Sequence, residues 1–139
     1  MGSKTVWTLF CLFCILCTPQ TTQAFKSVKI AVIYSKTGIA ANDNIAMGQA
    51  ASMAVDEINQ HGGLLGRPVE LIFIDNESTS LGSKAAAMEA VRLNVTGVIG
   101  ASWTSHSLAM APVLQSAGIP MITPVSTNPD VTEIGDYIF

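Results

Sequence analysis

The apolar positions of this chain fall into short blocks that alternate between two spacings. Val28–Tyr34 is almost continuously apolar and rich in β-branched side chains, the pattern of a strand buried on both faces. Ser35-Lys36-Thr37-Gly38 breaks it. From Asn42-Asp43-Asn44, all able to cap a helix, the spacing changes, and Met47, Ala51, Ala54, Val55 and Ile58 recur on one helical face. His61-Gly62-Gly63 stops that helix, with Gly62 placed for the left-handed C-terminal position. Pro68 opens a second strand over 69–74, ended by Asp75-Asn76. A serine-rich cap then leads into a second helix over 81–94, with Ala87, Met88, Val91 and Val95 inward. Gly97-Val98-Ile99-Gly100 predicts a third strand, 105–117 a third helix ended by Gly118, 119–123 a fourth strand, and Tyr137-Ile138-Phe139 the start of a fifth. Strands alternating with helices predict an α/β fold with an open, parallel, doubly wound sheet. Right-handed crossovers put helices on both of its faces.

Composition separates the N-terminus from the rest. The chain has 139 residues, 49% hydrophobic and 12% charged. Lys4 precedes an apolar run from Val6 to Cys17, and Thr22-Gln23-Ala24 offers a small-residue cleavage site. Residues 1–24 are therefore predicted to be a secretory signal peptide, since the run is shorter than the about 20 apolar residues that span a bilayer. All three cysteines lie in that segment, so residues 25–139 hold no disulfide, thiolate zinc site or cysteine nucleophile. Lys4 also lies there, leaving six basic against ten acidic residues in 25–139. That balance excludes nucleic acid as a partner. The last residues form an apolar strand without a return crossover, which predicts that 25–139 is one lobe at the front of a longer protein.

The polar groups gather by position. In an open parallel sheet, ligands bind beyond the carboxyl ends of the strands. The loops at those ends carry hydroxyls: Ser35 and Thr37; Ser78, Thr79 and Ser80; Ser102, Thr104 and Ser105; Thr123, Ser126 and Thr127. The opposite ends are glycine turns. Serine-rich caps alone would give some of this pattern. Ser105 is placed at the N-terminus of the third helix, where unpaired N–H groups and the helix dipole favour an anion. A hydroxyl cluster with little basic charge suits a carboxylate better than a polyphosphate, and Trp103 beside it could wall a pocket or serve as a plain core or surface aromatic.

Other chemistries find little support. Gly62-x-x-x-Gly66 follows a helix and precedes a strand, the reverse of a dinucleotide fingerprint. His61 and His106 lack the pairing of a metal site, and no calcium-loop spacing surrounds Asp75 and Glu77. Gly-x-Ser-x-Gly is absent, leaving His106 as the one base for a hydrolase reading. No cofactor, metal or enzymatic activity is predicted.

Three stretches resemble the leucine/isoleucine/valine-binding receptors of ABC transporters, the branched-chain amino acid type of periplasmic substrate-binding protein. The first runs from Met47-Gly48-Gln49-Ala50 through Asp56-Glu57-Ile58-Asn59 to Gly62-Gly63-Leu64-Leu65-Gly66-Arg67-Pro68. The second is Val98-Ile99-Gly100 leading to Ser105. The third is Ala117-Gly118-Ile119-Pro120-Met121-Ile122 followed by Thr123-Pro124 and Thr127-Asn128-Pro129. The resemblance implies a type I periplasmic binding protein, two lobes closing on a ligand, with residues 25–139 as the N-terminal lobe. It implies a periplasmic monomer that binds an amino acid or similar small carboxylate and delivers it to a membrane permease. By matching positions, Ser105 would bind the carboxylate, with Thr104 its alternative if the loop register slips. Val125 would offer a carbonyl to the ammonium, Thr127 a hydroxyl to either group, and Ser126 could contribute. Ser35, within residues 34–38, would line the cleft. The ectodomain of a transmembrane sensor remains an alternative, because the same lobes could move a helix instead of recruiting a permease.

Overall fold

The computed structural model describes residues 26–139, so the signal peptide expected over 1–24 lies outside the described residues. Four parallel strands form one sheet in the order β2-β1-β3-β4. They are β1 (Val28–Tyr34), β2 (Val69–Asp75), β3 (Gly97–Ile99) and β4 (Met121–Ile122). Helix α1 (Ala41–Gln60) links β1 to β2, α2 (Ser80–Arg92) links β2 to β3, and α3 (Thr104–Ala117) links β3 to β4. The β1–β2 ladder runs from Val28 opposite Val69 to Tyr34 opposite Asp75. On its other side β1 pairs Ile30, Ala31 and Val32 with Gly97, Val98 and Ile99. This is the doubly wound α/β arrangement expected from the alternating blocks.

The pleat of β1 sorts its side chains between two layers. Ala31 and Ile33 point into a core built with Ala86, Ala87 and Ala90 of α2 and Met110, Ala111 and Leu114 of α3. Val28 and Ile30 point the other way, toward Ala51 and Val55 of α1. The inward stripe of α2 is Ser83, Ala86, Ala87 and Ala90, spaced i, i+3, i+4, i+7. Met88, expected inward, lies one residue off that stripe and is 58% exposed. Ala54 is also exposed, and Ile58, in the last turn of α1, is 41% exposed. Both line an apolar groove on the α1 side with Ile30 and Ile122.

Other boundaries moved for reasons of hydrogen bonding. Helix α1 starts at Ala41 with Ala40 as its cap, one residue before the Asn-Asp-Asn run, and Asn44 instead reaches back one turn to the Ala40 carbonyl at 2.7 Å. The fourth strand is shorter than 119–123 because Ile119 donates its N–H to Leu114 at 3.0 Å, completing the C-terminus of α3 behind left-handed Gly118. The expected fifth strand is a single parallel bridge, Ile138 beside Met121. Between them Pro129–Ile134 forms a 3-10 helix inside what the sequence presents as polar loop. Asn128 caps it, accepting from the Asp130 N–H at 2.9 Å.

Candidate functional site

Because all four strands are parallel, the four loops that follow them share one edge of the sheet. The chain leaves β1 toward β2 on one side, while β3 and β4 lie on the other. The crevice between the β1 and β3 loops is thus the switch point at which open sheets bind ligands. Gly100 makes that crevice tight: a Cβ there would collide with the Ile33 carbonyl, and its φ is +133°.

Three polar knots hold the loops together. In the first, Asn76 is fully buried, and its Oδ1 accepts from the Ser35 hydroxyl at 2.8 Å and the Ser78 N–H at 3.1 Å. Its neighbour Asp75 accepts from the N–H groups of Lys36 at 2.9 Å, Thr37 at 3.3 Å and Glu77 at 2.9 Å, and from the Thr37 hydroxyl at 2.7 Å. Desolvation pushes the Asp75 carboxyl up, but the Thr37 hydroxyl and the three N–H donors outweigh it and hold the group below its ordinary value. Ser78 completes the knot, donating to the Thr37 carbonyl at 2.7 Å and accepting from the Ala40 N–H at 3.1 Å.

The second knot joins α1 to the β3 loop: buried Asn44 accepts from the Ser102 hydroxyl at 2.8 Å. The third joins α3 to the β4 loop. Buried Ser107 lies 2.8 Å from the Ser126 hydroxyl, Thr123 lies 2.7 Å from Ser126, and the Ala101 carbonyl accepts from Thr123 at 2.9 Å.

Above the knots sits an exposed rim. Thr104 opens α3, and its hydroxyl oxygen accepts from the Thr127 N–H at 3.3 Å. Trp103 is the helix cap, without a side-chain capping bond. The N–H groups of Thr104 and Ser105 belong to the first turn, which intrahelical bonding leaves open. Ser105 is exposed one residue further round the helix, where its carbonyl accepts from the Ser80 hydroxyl at 3.3 Å. Val125 is 52% exposed on the facing loop.

The geometry therefore divides the residues singled out from sequence. Thr104 and Thr127 meet, with Val125 on the same loop as Thr127. Ser105 is exposed and meets α2 only through its backbone carbonyl, which accepts from Ser80. Ser35 is fully buried with its hydroxyl committed to Asn76, and Ser126 is half-buried in the third knot. Trp103 is 38% exposed and stacks on His106, with ring centroids 5.2 Å apart and planes 25° apart. His106 is 2% exposed; desolvation holds its imidazole below the ordinary value against a smaller opposing hydrogen bond with the Ser78 backbone. An open cavity of about 660 Å³ on the α1 side is lined by Ser35 together with Tyr34, Lys36, Ile45, Gln49 and Phe73, so Ser35 borders this cavity and not the start of α3. Among the described residues no group of three or more His, Cys, Asp or Glu could hold a metal ion.

The family model described as Periplasmic binding protein matches residues 27–139, the whole sheet with its four loops. The chain belongs to the periplasmic binding protein family. Within that family it is 32% identical over 112 residues to the Leu/Ile/Val-binding protein BraC3 of Rhizobium johnstonii, covering 81% of this chain and 30% of that one. The fold is similar to that of the branched-chain amino acid transporter substrate-binding protein LivJ of Streptococcus pneumoniae, solved with isoleucine. That match has a TM-score of 0.79 at 30% identity and covers 82% of this chain and 33% of that one. A solute-binding protein of an ABC transporter from Rhodopseudomonas palustris, solved with 3,4-dihydroxybenzoic acid, matches with a TM-score of 0.72 at 26% identity, covering 81% and 31%. The chain spans about a third of the length of these periplasmic binding proteins.

Sequence reasoning missed the residues that hold the rim: Asn44, Asn76, Ser102, Ser107 and Thr123. Their chemistry was visible, since Asn76, Ser102 and Thr123 stand in the strand-following loops. What singles them out is burial, and that depends on which helix closes over each loop.

Proposed function

We propose that this protein is an exported receptor for a small zwitterion or carboxylate, without enzymatic activity, that delivers its ligand to an ABC transporter permease. Residues 25–139 are its first lobe and residues 1–24 its signal peptide, and the receptor works in the periplasm as a monomer. The observation that carries this reading is the Thr104–Thr127 contact at the start of α3. By accepting from the Thr127 N–H, the Thr104 oxygen leaves its O–H free to donate outward. Together with the open N–H groups of the first helical turn, it forms a donor set for a carboxylate. The Thr127 hydroxyl adds a further donor, the exposed Val125 carbonyl can accept from an ammonium, and Trp103 walls the side chain. Ser105 contributes its N–H more than its hydroxyl. Ser35 and Ser126 act by holding the loops.

The solutes bound by relatives, isoleucine in one structure and a dihydroxybenzoate in another, support a carboxylate as the common element. Calorimetric titration of the secreted protein against branched-chain amino acids and hydroxybenzoates tests the reading; no heat with any of them would discard it. Thr104→Val should weaken binding by about 1–3 kcal/mol, the cost of a lost hydrogen bond to a charged group. Ser105→Ala should cost less, and a larger loss for Ser105→Ala would exchange the two roles. N-terminal sequencing of the exported protein should begin at Phe25, and a chain still starting at Met1 would refute the cleavage.

A further inference from the structure

Trp103 is the largest exposed side chain at the start of α3, yet its indole has no capping role there. What fixes it is the imidazole of His106, stacked beneath it at 5.2 Å. His106 is in turn fixed by Asn76, whose amide nitrogen lies 3.3 Å from Nδ1. The direction of that bond follows from the network. Asn76 Oδ1 already accepts from a backbone N–H, that of Ser78, and from the Ser35 hydroxyl. The amide therefore cannot turn over without facing donor to donor, and its NH2 must point at His106. Nδ1 is then the acceptor, and the ring carries its proton on Nε2. A proton added to Nδ1 would set N–H against N–H inside a buried site, a cost that the hydrogen bond with the Ser78 backbone offsets only in part.

We infer that His106 is the positioning residue of the rim: neutral, and bonded through Nδ1 to Asn76, it holds the Trp103 indole in place, and on gaining a proton it lets the indole go. The loops after β1 and β2 would thereby control an aromatic wall on α3, through the chain Ser35–Asn76–His106–Trp103. Charged groups on the neighbouring elements leave this chain alone. Asp75 spends its carboxylate on the β1 loop, and Glu89 pairs with Arg92 on α2. Lys36, Glu77, Lys84, and Asp130 and Glu133 of the 3-10 helix are solvent-exposed. Burial also disfavours the charged imidazole, which places the release on the acid side of the ordinary histidine range.

The inference rests on the proposed binding function only for its effect on affinity, so the test has an arm without ligand. The tryptophan emission that disappears in Trp103→Phe is followed against pH in the ligand-free protein, since an indole freed from the imidazole moves into water and its emission maximum shifts to longer wavelength. A single step is expected, with a midpoint below about 6.5, and it should be absent from His106→Phe, which keeps an aromatic ring but takes no proton. A flat profile in the natural protein, or the same step in His106→Phe, overturns the inference. If that variant fails to fold, the ring nitrogens of the natural protein are read by long-range 15N–1H NMR. His106 should carry its hydrogen on Nε2, while His61, whose Nδ1 faces the Glu57 carbonyl at 2.8 Å, should carry it on Nδ1. An Nδ1–H form of His106 at neutral pH would overturn the proposal. With a binding amino acid, affinity should fall below the midpoint by up to about tenfold per pH unit, the slope of one proton. Retention of full affinity across the emission step would overturn the control of binding. An emission step without binding of any amino acid or benzoate would refute the function and leave the positioning role standing.

Discussion

Asp75 shows how a single carboxylate can organise a loop. A peptide chain leaving a buried strand has N–H groups that must find partners, and at 35–37 the strand partner has ended. Asp75 collects Lys36 and Thr37 from across the sheet and Glu77 from its own loop. These bonds favour the ionised form, so the folded carboxyl lies below its ordinary value. The sign follows from linkage: a depressed folded value gives stability that is present above the unfolded value of about 3.9 and is lost as pH falls through the folded one. Asp75→Asn should therefore destabilise the protein at neutral pH and lose that part of its acid dependence. Urea melts at pH 7 and pH 3 measure it: the gap between natural and variant proteins should shrink at pH 3. An equal gap at both values would mean that the carboxylate's charge is irrelevant to the clasp.

At the scale of elements, α2 and α3 set where the rim stands. Alanines at 86, 87 and 90 remove bulk from α2, and Met110 and Leu114 of α3 fill the space against the sheet. Leu114 is fully buried, and Leu114→Ala should cost about 2–5 kcal/mol, read as a lower denaturation midpoint with an unchanged urea slope. A loss below 1 kcal/mol would mean that the helix pair collapses over the gap. The same packing explains what the sequence did and did not reveal. The strand β1 was legible to the residue, because seven nearly continuous apolar positions between polar breaks have one reading. Met88 was misplaced because hydrophobicity alone ranks it above Ala86, whereas close helix approach selects the smaller residue. The 3-10 helix was invisible because Pro129–Ile134 is too short and polar for a periodic signal. At the site, sequence put Ser35, Thr104, Ser105, Ser126 and Thr127 on one edge. Separating half-buried Thr104 from fully buried Ser35 required knowing that Asn76 lies beneath the β1 loop.

For the molecule as a whole, charge placement decides how a ligand would be drawn in and held. Of the six basic residues in 26–139, Lys36 is the one that stands in the loops following the strands. Arg67 is turned to the opposite end, bonded to the Lys26 and Ser27 carbonyls, and Arg92 is paired with Glu89. Asp75, which clasps the β1 loop, is surrounded by N–H and O–H donors. The rim thus offers dipoles more than net charge. Dipoles at hydrogen-bonding range are short-ranged and little affected by salt, whereas attraction between exposed charges is screened beyond about 8 Å at physiological ionic strength. The dissociation constant for an amino acid should accordingly change less than about threefold between 20 and 500 mM sodium chloride, since steering by a charged cleft is what gives steep salt dependence. Lys36→Gln should leave that profile flat and alter affinity little. A steep salt dependence that disappears in Lys36→Gln would move the carboxylate from the start of α3 to the β1 loop, and with it the centre of the site.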